Sequence, residues 1–554
     1  MKMVTNLIAS RSLFAVVRRF KQWPLFLLLL MIIFPGGVRA QETRAARFDV
    51  MVFAVEGNTV LPVQDIEAAV MPYLGPGRSA ADIEAARDAL EKAYQQAGYL
   101  TVLVNLPAQD VAEGVVRLEV VEQSIGRLKV SGAEYTLPSQ LKAQLPEMAE
   151  GRVPQFDEVQ EQLAAASRSA DVTITPLLRG GAAPGSVEVE LKLDDRRPLH
   201  GSIELNNKRT ADTETGRLEA SLRYDNLFQR RHSIGLSYFV SPSNRDDVEV
   251  FGLSYSAPLN ARGLTLAAFF ARSNSDVLTA FDTSAVAKGD TAGVRLVMPL
   301  PTRGASSWFH NLSVGADWKD SEQNTGLFSN LIQLNQPVRY FTLTGQYSLV
   351  SVDEGGQWRF SFGTTLSTRS MNQRTVDCNG VRLEQFACRR TDARPDFVVA
   401  RAGLERLQKL PGGWSLYGRA DLQRSSNPLI NTEQLVAGGF DSVRGYLEAE
   451  RTADEGERLR AELRTPSAAP LDDYPLQLSG LVFYDSVWLR NRSTIFGIPD
   501  VMRLSSAGLG LRTSLGKEWK LDVDVSQAFQ DGAAGPGRTR DGDRRLSVRA
   551  KYEF

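Results

Sequence analysis

The sequence predicts two small tandem α+β modules followed by a 16-stranded antiparallel transmembrane β-barrel. Three observations carry that prediction. A short apolar N-terminal stretch ends at a small-residue cleavage site. A strand–helix–helix–strand–strand pattern occurs twice between residues 48 and 195. At Pro198 helical periodicity stops and period 2 takes over, running to Phe554.

The N-terminus sets Arg18, Arg19 and Lys21 before the apolar run 25–34, then Pro35-Gly36-Gly37 and Val38-Arg39-Ala40. This order predicts a secretory signal peptide over 1–40, cleaved after Ala40. The apolar run falls well short of the roughly 20 residues a spanning helix needs. No later stretch approaches that length, so a membrane domain in this chain has to be a barrel. Lys+Arg total 64 and Asp+Glu 65, a net charge of −1 that gives no sign of nucleic acid as a partner. The mean hydropathy of −0.21 is that of an ordinary soluble protein. Barrel strands hide in such averages because only every second residue faces lipid.

Residues 48–122 form the first predicted module. "FDVMVFAVEGNTVL" reads as a strand and turn, and "PVQDIEAAVMPYLG" as a helix stopping at Gly75. The second helix starts on Ser79 as its cap and ends at Gly98, with Ile83, Ala86, Leu90 and Tyr94 at helical spacing. "LTVLVNLP" and "GVVRLEVVE" close the module as strands. The same order recurs over 123–195, from "IGRLKVSG" through two helices to "DVTITPLL" and "SVEVELKLD".

The segment 198–554 alternates strictly in "WSLYGRADLQ", "LRAELR", "LDVDV" and the terminal "LSVRAKYEF". A soluble antiparallel sheet alternates too. Strand lengths near 10, an even count, and short turns alternating with long polar loops point to a barrel with lipid outside and a wet lumen. The strands are expected from 198–207 to 543–554, with the seventh at 307–319 and the eighth at 337–350. Outer-membrane lipid is therefore an expected partner. Cys378 and Cys388 sit in one polar loop of an exported chain, so a local disulfide is expected. His200, His232 and His310 are scattered, and no metal site or cofactor is predicted. With no GxSxG, HExxH or P-loop, the sequence predicts no enzyme.

Between the eleventh and twelfth strands lies a long loop, 425–455, containing "GGFDSVRGYLEAE". A loop of that length is usually functional or disordered, and its Gly, Phe, Val and Tyr argue against disorder. Gly438, Gly439 and Gly445 permit a tight backbone around Phe440, Val443, Arg444 and Tyr446.

Here the chain resembles a known family. The order of the first module, with "GYLTVLVNLPAQDVAEGVVRLEVVE", resembles a POTRA domain of the two-partner-secretion type, and the second module resembles it more weakly. Val443-Arg444-Gly445-Tyr446 resembles the VRGY/F motif of the sixth extracellular loop in the two-partner-secretion transporters (TpsB; FhaC-, ShlB- and HecB-like) and their barrel-assembly relatives. The resemblance implies that the loop folds back into the lumen and that Arg444 meets an acidic residue on the inner wall. The family's acid lies in an FxDxG strand. "LVFYDSVWLR" supplies Phe483 and Asp485, with Val487 replacing the final Gly. Arg444 and Asp485 are thus expected to form a latch. The family often carries a plug helix before the first POTRA. Only residues 41–47 precede the first strand here, so the loop around Arg444 is expected to be the main obstruction.

The resemblance implies an outer-membrane protein with periplasmic POTRA domains, exporting an unfolded, TpsA-like secreted client without nucleotide hydrolysis. The terminal Phe554 resembles the signal read by the barrel-assembly machinery. The alternative is an insertase of the same superfamily. A solute porin and a barrel lipase or protease fit poorly, since porins lack the modules and the loop.

Overall fold

The computed structural model describes residues 47–554, apart from 112, 212, 261, 275–276, 279–284, 287, 303–307, 328–331, 470–474, 494–498 and 536. The segment read as a signal peptide, 1–40, lies outside the described residues.

In the first module the strand Val52–Glu56 runs parallel to Val115–Glu122, which pairs antiparallel with Val102–Asn105. Helices Val63–Val70 and Ala80–Gln96 pack Ile66, Leu90 and Tyr94 against Val102, Leu118 and Val120 of that sheet. The long helix starts where the sequence places it. The Ser79 side chain accepts from the Asp82 N–H, and the Asp82 carboxylate accepts from the Ser79 N–H in return. That Ser79 N–H holds the Asp82 carboxyl below its ordinary range.

Two expectations need correction. The first strand is two strands, Arg47–Val50 and Val52–Glu56, broken where the Met51 and Val52 N–H groups both turn to Gly114 O. The first helix ends at Val70 and not at Gly75, because Pro72 cannot continue the helical hydrogen bonding. Gly75–Ser79 is instead a strand paired with Arg47–Val50.

The second module repeats the topology. Ser124–Ser131 runs parallel to Ser186–Asp195, which pairs antiparallel with Val172–Gly180. Helices Pro138–Ala143 and Phe156–Ala166 cover the sheet, and Leu141, Leu145, Val159 and Leu191 fill the space between.

Sixteen strands then close into one barrel in which each pairs with its sequence neighbours. Strand 1 is Leu199–Asn206, strand 11 is Ser415–Ser425, strand 12 is Glu455–Arg464, and strand 13 is Leu476–Arg490. Strand 14 is Val501–Leu515, strand 15 is Trp519–Ala528, and strand 16 is Arg544–Glu553. Strand 16 pairs with strand 1, from Arg549↔Asn206 to Glu553↔Ser202. The Phe554 N–H donates to Gly201 O, and the Gly201 N–H donates to Phe554 O, both at 3.0 Å. This seam closes the sheet on itself, and beyond the paired stretch the Asn207 side chain bonds Leu546 O and the Val548 N–H of strand 16.

Strand 13 fixes which face is which. Val482 and Tyr484 are 54% and 44% exposed, whereas Phe483 and Asp485 are 3% and 0%. The apolar pair faces outward and the acid faces in. Trp308, Trp358, Trp414, Trp519 and Phe554 are all exposed at the end where the modules join, an aromatic belt at one membrane surface. Strands 7 and 8, Trp308–Leu327 and Ile332–Asp353, are much longer than the sequence suggests. Period-2 texture is diluted in "KDSEQNTG", because a hairpin projecting beyond the membrane needs no apolar face.

Candidate functional site: the lumen loop

The loop between strands 11 and 12 covers 426–454 and has structure of its own. Asn431–Glu433 is a 3-10 turn, and Leu435–Ala437 pairs with Arg451–Ala453. The tip, 438–450, returns into the barrel. Gly438 and Gly445 have φ of +104° and +93°, and a Cβ on Gly438 would lie 2.5 Å from Leu447 O. A side chain at these positions would open the tip.

Arg444 is 1% exposed and is the largest fully buried side chain of the described residues. Its Nε donates to Asp485 Oδ2 at 2.7 Å, its Nη2 to Asp485 Oδ1 at 2.9 Å, and its backbone N–H to Asp485 Oδ2 at 3.2 Å. This is the two-pronged fork that Lys cannot reproduce. The guanidinium stacks 3.5 Å from the centre of the Phe483 ring.

One partner was expected, and the structure adds two more. Arg444 Nη2 also lies 2.9 Å from Glu462 Oε1 on strand 12, and Nη1 lies 3.7 Å from Asp524 Oδ2 on strand 15. Each acid holds a second arginine from the wall. Arg460 lies 3.3 Å from Asp485, Arg464 2.6 Å from Glu462, and Arg512 2.6 Å from Asp524. Arg444 is thus the central cation of three carboxylates, each with its own satellite guanidinium.

The sequence contains the missed acids in strands it identifies, "LRAELR" and "LDVDV". It cannot say which inward charges of different strands share a level, because that depends on barrel register. Phe483 faces Gly508, and Asp524 faces Gly510, on strand 14. A Cβ on Gly508 would lie 2.6 Å from the Phe483 ring, and one on Gly510 would lie 2.1 Å from Asp524 Oδ1. The "GLGL" of strand 14 therefore makes room for the stacking ring and the third acid.

The rest of the motif seats the tip. The Tyr446 hydroxyl donates toward Ser505 O and Gln530 O at 3.0 and 2.9 Å and accepts from the Gln530 N–H. Val443 and Tyr446 pack with Val487, Leu504 and Ala528. Val487, where the family pattern has Gly, is thus an apolar wall under the loop. Arg460 donates to the carbonyls of Phe440 and Ser442, and Arg549 lies over the Phe440 ring at 4.1 Å. The Gly439 N–H donates to Val443 O and closes the turn.

Cys378 and Cys388 are bonded, with Cα atoms 5.8 Å apart, in the loop between strand 9, Gly356–Ser367, and strand 10, Phe397–Lys409. That loop touches the lumen loop. Arg390 grips both carboxylate oxygens of fully buried Asp454, and Phe386 packs with Leu429 and Ile430.

Known proteins share this architecture. A family model for the POTRA domain, ShlB-type, matches residues 48–123, and a model for the haemolysin secretion/activation protein ShlB/FhaC/HecB matches residues 185–513. The outer membrane transporter CdiB of Escherichia coli is 26% identical over 239 residues, 43% of this chain and 39% of that protein's length. The chain thus matches well under half the length of that relative. The heme/hemopexin transporter protein HuxB of Haemophilus influenzae is 20% identical over 470 residues, 83% of this chain and 79% of its own. The solved structure of Escherichia coli CdiB superposes with a TM-score of 0.61 at 20% identity, covering 94% of this chain and 93% of that one. BamA from Haemophilus ducreyi lacking POTRA domains 1–3 gives 0.52 at 13% identity, over 92% of this chain and 100% of that one.

Proposed function

This chain belongs to the ShlB/FhaC/HecB haemolysin secretion/activation family, an outer-membrane barrel with its POTRA domain in the periplasm, and from that premise we propose that it exports a secreted protein by two-partner secretion. The observation that carries this reading is the lumen loop, a polar strap held inside a closed barrel by buried ion pairs. A barrel built only to anchor a protein needs no such strap. An export pore needs an obstruction that is stable at rest and can be displaced by a chain.

The client is a TpsA-like polypeptide, unfolded in the periplasm. The second module offers an open sheet edge along Val172–Gly180, which pairs on one side only and exposes Leu177 and Leu178. An extended client can add a strand there, so that main-chain hydrogen bonds supply affinity with little demand on sequence. Transfer needs no nucleotide and no catalytic group. Phe554, beside the strand 16–strand 1 seam, is the proposed contact with the barrel-assembly machinery.

The test compares the proteins released by cells with and without this chain, with the abundance of outer-membrane barrels measured alongside. Loss of one or a few large secreted proteins, with barrel levels unchanged, supports export. A general fall in barrel levels with normal secretion would favour insertase work instead.

A further inference from the structure

The Arg444 cluster draws on strands 12, 13, 14 and 15, which leaves the other side of the strap to be explained. On that side Glu433 is 1% exposed. Its carboxylate takes Lys319 Nζ of strand 7 at 2.6 Å and the Tyr340 hydroxyl of strand 8 at 2.7 Å, and lies 3.8 Å from Arg401 Nη2 of strand 10. Strand 10 is Phe397–Lys409. The Glu433 carbonyl accepts from Gln423 at 3.2 Å and Arg401 at 3.3 Å, and Thr432 shares a 2.7 Å bond with the Tyr340 hydroxyl. Lys319 and Tyr340 are 7% and 1% exposed, so this network is as dry as the one around Arg444. The two networks share no residue and no barrel strand.

We propose that Glu433 is a second latch, a positioning residue that pins the rising limb of the loop to the wall of strands 7, 8 and 10 independently of Arg444. The inference rests on the reading of the loop as the pore's obstruction. With two separate anchors, freeing the tip at Arg444 leaves the limb across the lumen, and freeing the limb leaves the tip. The strap can leave the lumen only when both have released. Because the anchors share no partners, their contributions to closure add as free energies and their effects on the open-to-closed ratio multiply.

The experiment is single-channel recording of the purified full-length chain in planar lipid bilayers. It compares Glu433→Gln, Arg444→Ala, both together, and a deletion of 426–454, each first checked for a folded, heat-modifiable barrel. Glu433→Gln keeps the acceptor oxygen but strands the Lys319 charge. The pair Lys319→Met with Glu433→Gln removes the buried lysine and leaves only the part-exposed Arg401 without its acid, so it decides if Glu433→Gln does not fold. The expected result is a raised open fraction for each single change. The double change should lie about tenfold or more above either single, at the product of the two effects. If Glu433→Gln and this pair behave as the parent chain while Arg444→Ala opens the pore, the second latch is overturned and the pore reading stands. If the loop deletion itself leaves conductance unchanged, the obstruction reading falls, and this inference with it.

Discussion

The barrel holds two soluble elements, one at each end, and holds them differently. The lumen loop is gripped by charge. Arg444, Glu462, Asp485 and Asp524 are each 5% exposed or less, and the grip on the tip centres on the ion pairs between these side chains. The second module is gripped through its backbone. Arg231, in the turn between strand 2, Arg217–Leu227, and strand 3, His232–Val240, donates to Ala165 O in the last turn of helix Phe156–Ala166 and to the Gln144 side chain at 2.6 Å. Gln229 of the same turn takes the Leu137 N–H and donates to Tyr135 O, both at 3.0 Å. His200 and Asp171 add one side-chain pair at 2.9 Å.

The difference teaches what each contact demands of sequence. A carbonyl at a helix end is present whatever the side chains are, and a cation there also meets the negative end of the helix dipole. The second module can therefore change sequence and stay docked, provided the turn keeps its shape. That fits the gap left by the family models, which match 48–123 and 185–513 and pass over most of this module. The loop has no such freedom, and it is the loop that spells a motif.

The largest expected effect comes from the charge count in the lumen cluster. Four guanidinium groups, of Arg444, Arg460, Arg464 and Arg512, face three buried carboxylates, while the part-exposed Asp522 lies 3.7 Å from Arg512 at the rim. Arg444→Ala leaves three acids with three satellite arginines, a balanced set. Asp485→Ala leaves four cations against two acids in a buried site, at a cost of about 3–5 kcal/mol. Asp485→Ala should thus lower the temperature of the heat-modifiability shift more than Arg444→Ala, although both weaken the same latch and both should cut client secretion. The double change should cost less than the two singles combined, because the residues share partners. An Arg444→Ala barrel less stable than Asp485→Ala would mean that the satellites do not neutralise the acids.

Next in size is a change that touches no charge. Gly510→Ala places a methyl group against the Asp524 carboxylate, and Gly508→Ala places one against Phe483 and Val525 O. Overpacking of this kind costs about 1–3 kcal/mol. Each should reduce secretion as the Arg444 variant does, with strand 14 still paired. Normal secretion and stability in both would show that the wall gives way there and that the fit is loose.

How much of this the sequence reveals follows the same divide. Period 2 and terminal aromatics show the barrel, because each strand announces its own faces. The capping box at Ser79 and Asp82 shows the long helix, because its partners are three residues apart. The Arg444–Asp485 pair is legible because the resemblance supplied the Asp. Glu462, Asp524 and Glu433 are not, since they meet Arg444 or Lys319 only after sixteen strands have closed in one register. The Gln229 and Arg231 contacts are invisible for another reason. Asn226, Phe228, Gln229 and Arg231 all adopt positive φ without being Gly, so nothing in "DNLFQRRH" marks the turn as special.

A smaller effect tests the junction. Arg231→Ala removes two hydrogen bonds to the module but none within the barrel, a loss of about 1–3 kcal/mol in docking. Limited proteolysis of the purified chain should cut the linker near Arg196 and Arg197 faster, while the heat-modifiability shift stays put. The conservative Arg231→Lys should restore part of the protection, since a carbonyl needs only a donor. If the barrel itself softens, the turn belongs to the barrel's stability and the contrast between the two grips is lost.

The smallest effect is expected where covalent chemistry looks strongest. The Cys378–Cys388 bridge joins residues 10 apart, so it restricts the unfolded chain little, by about 2–3 kcal/mol at most. The short helix Gln385–Arg389 that carries Cys388 is already fixed by other means. Phe386 packs against Tyr340, Phe397, Leu429 and Ile430. Arg389 donates to Ser321 Oγ at 2.6 Å, and Arg390 holds Asp454 at the base of the lumen loop. The combined change Cys378→Ser with Cys388→Ser should leave these contacts in place, and with them both secretion and the heat-modifiability shift. Arg390→Ala should lower secretion instead, because Asp454 is 0% exposed and would lose its countercharge. Should the serine variant lose secretion as steeply as Arg390→Ala, the bridge and not the ion pair holds this outer loop against the strap, and grip by charge would not suffice to describe that end of the barrel.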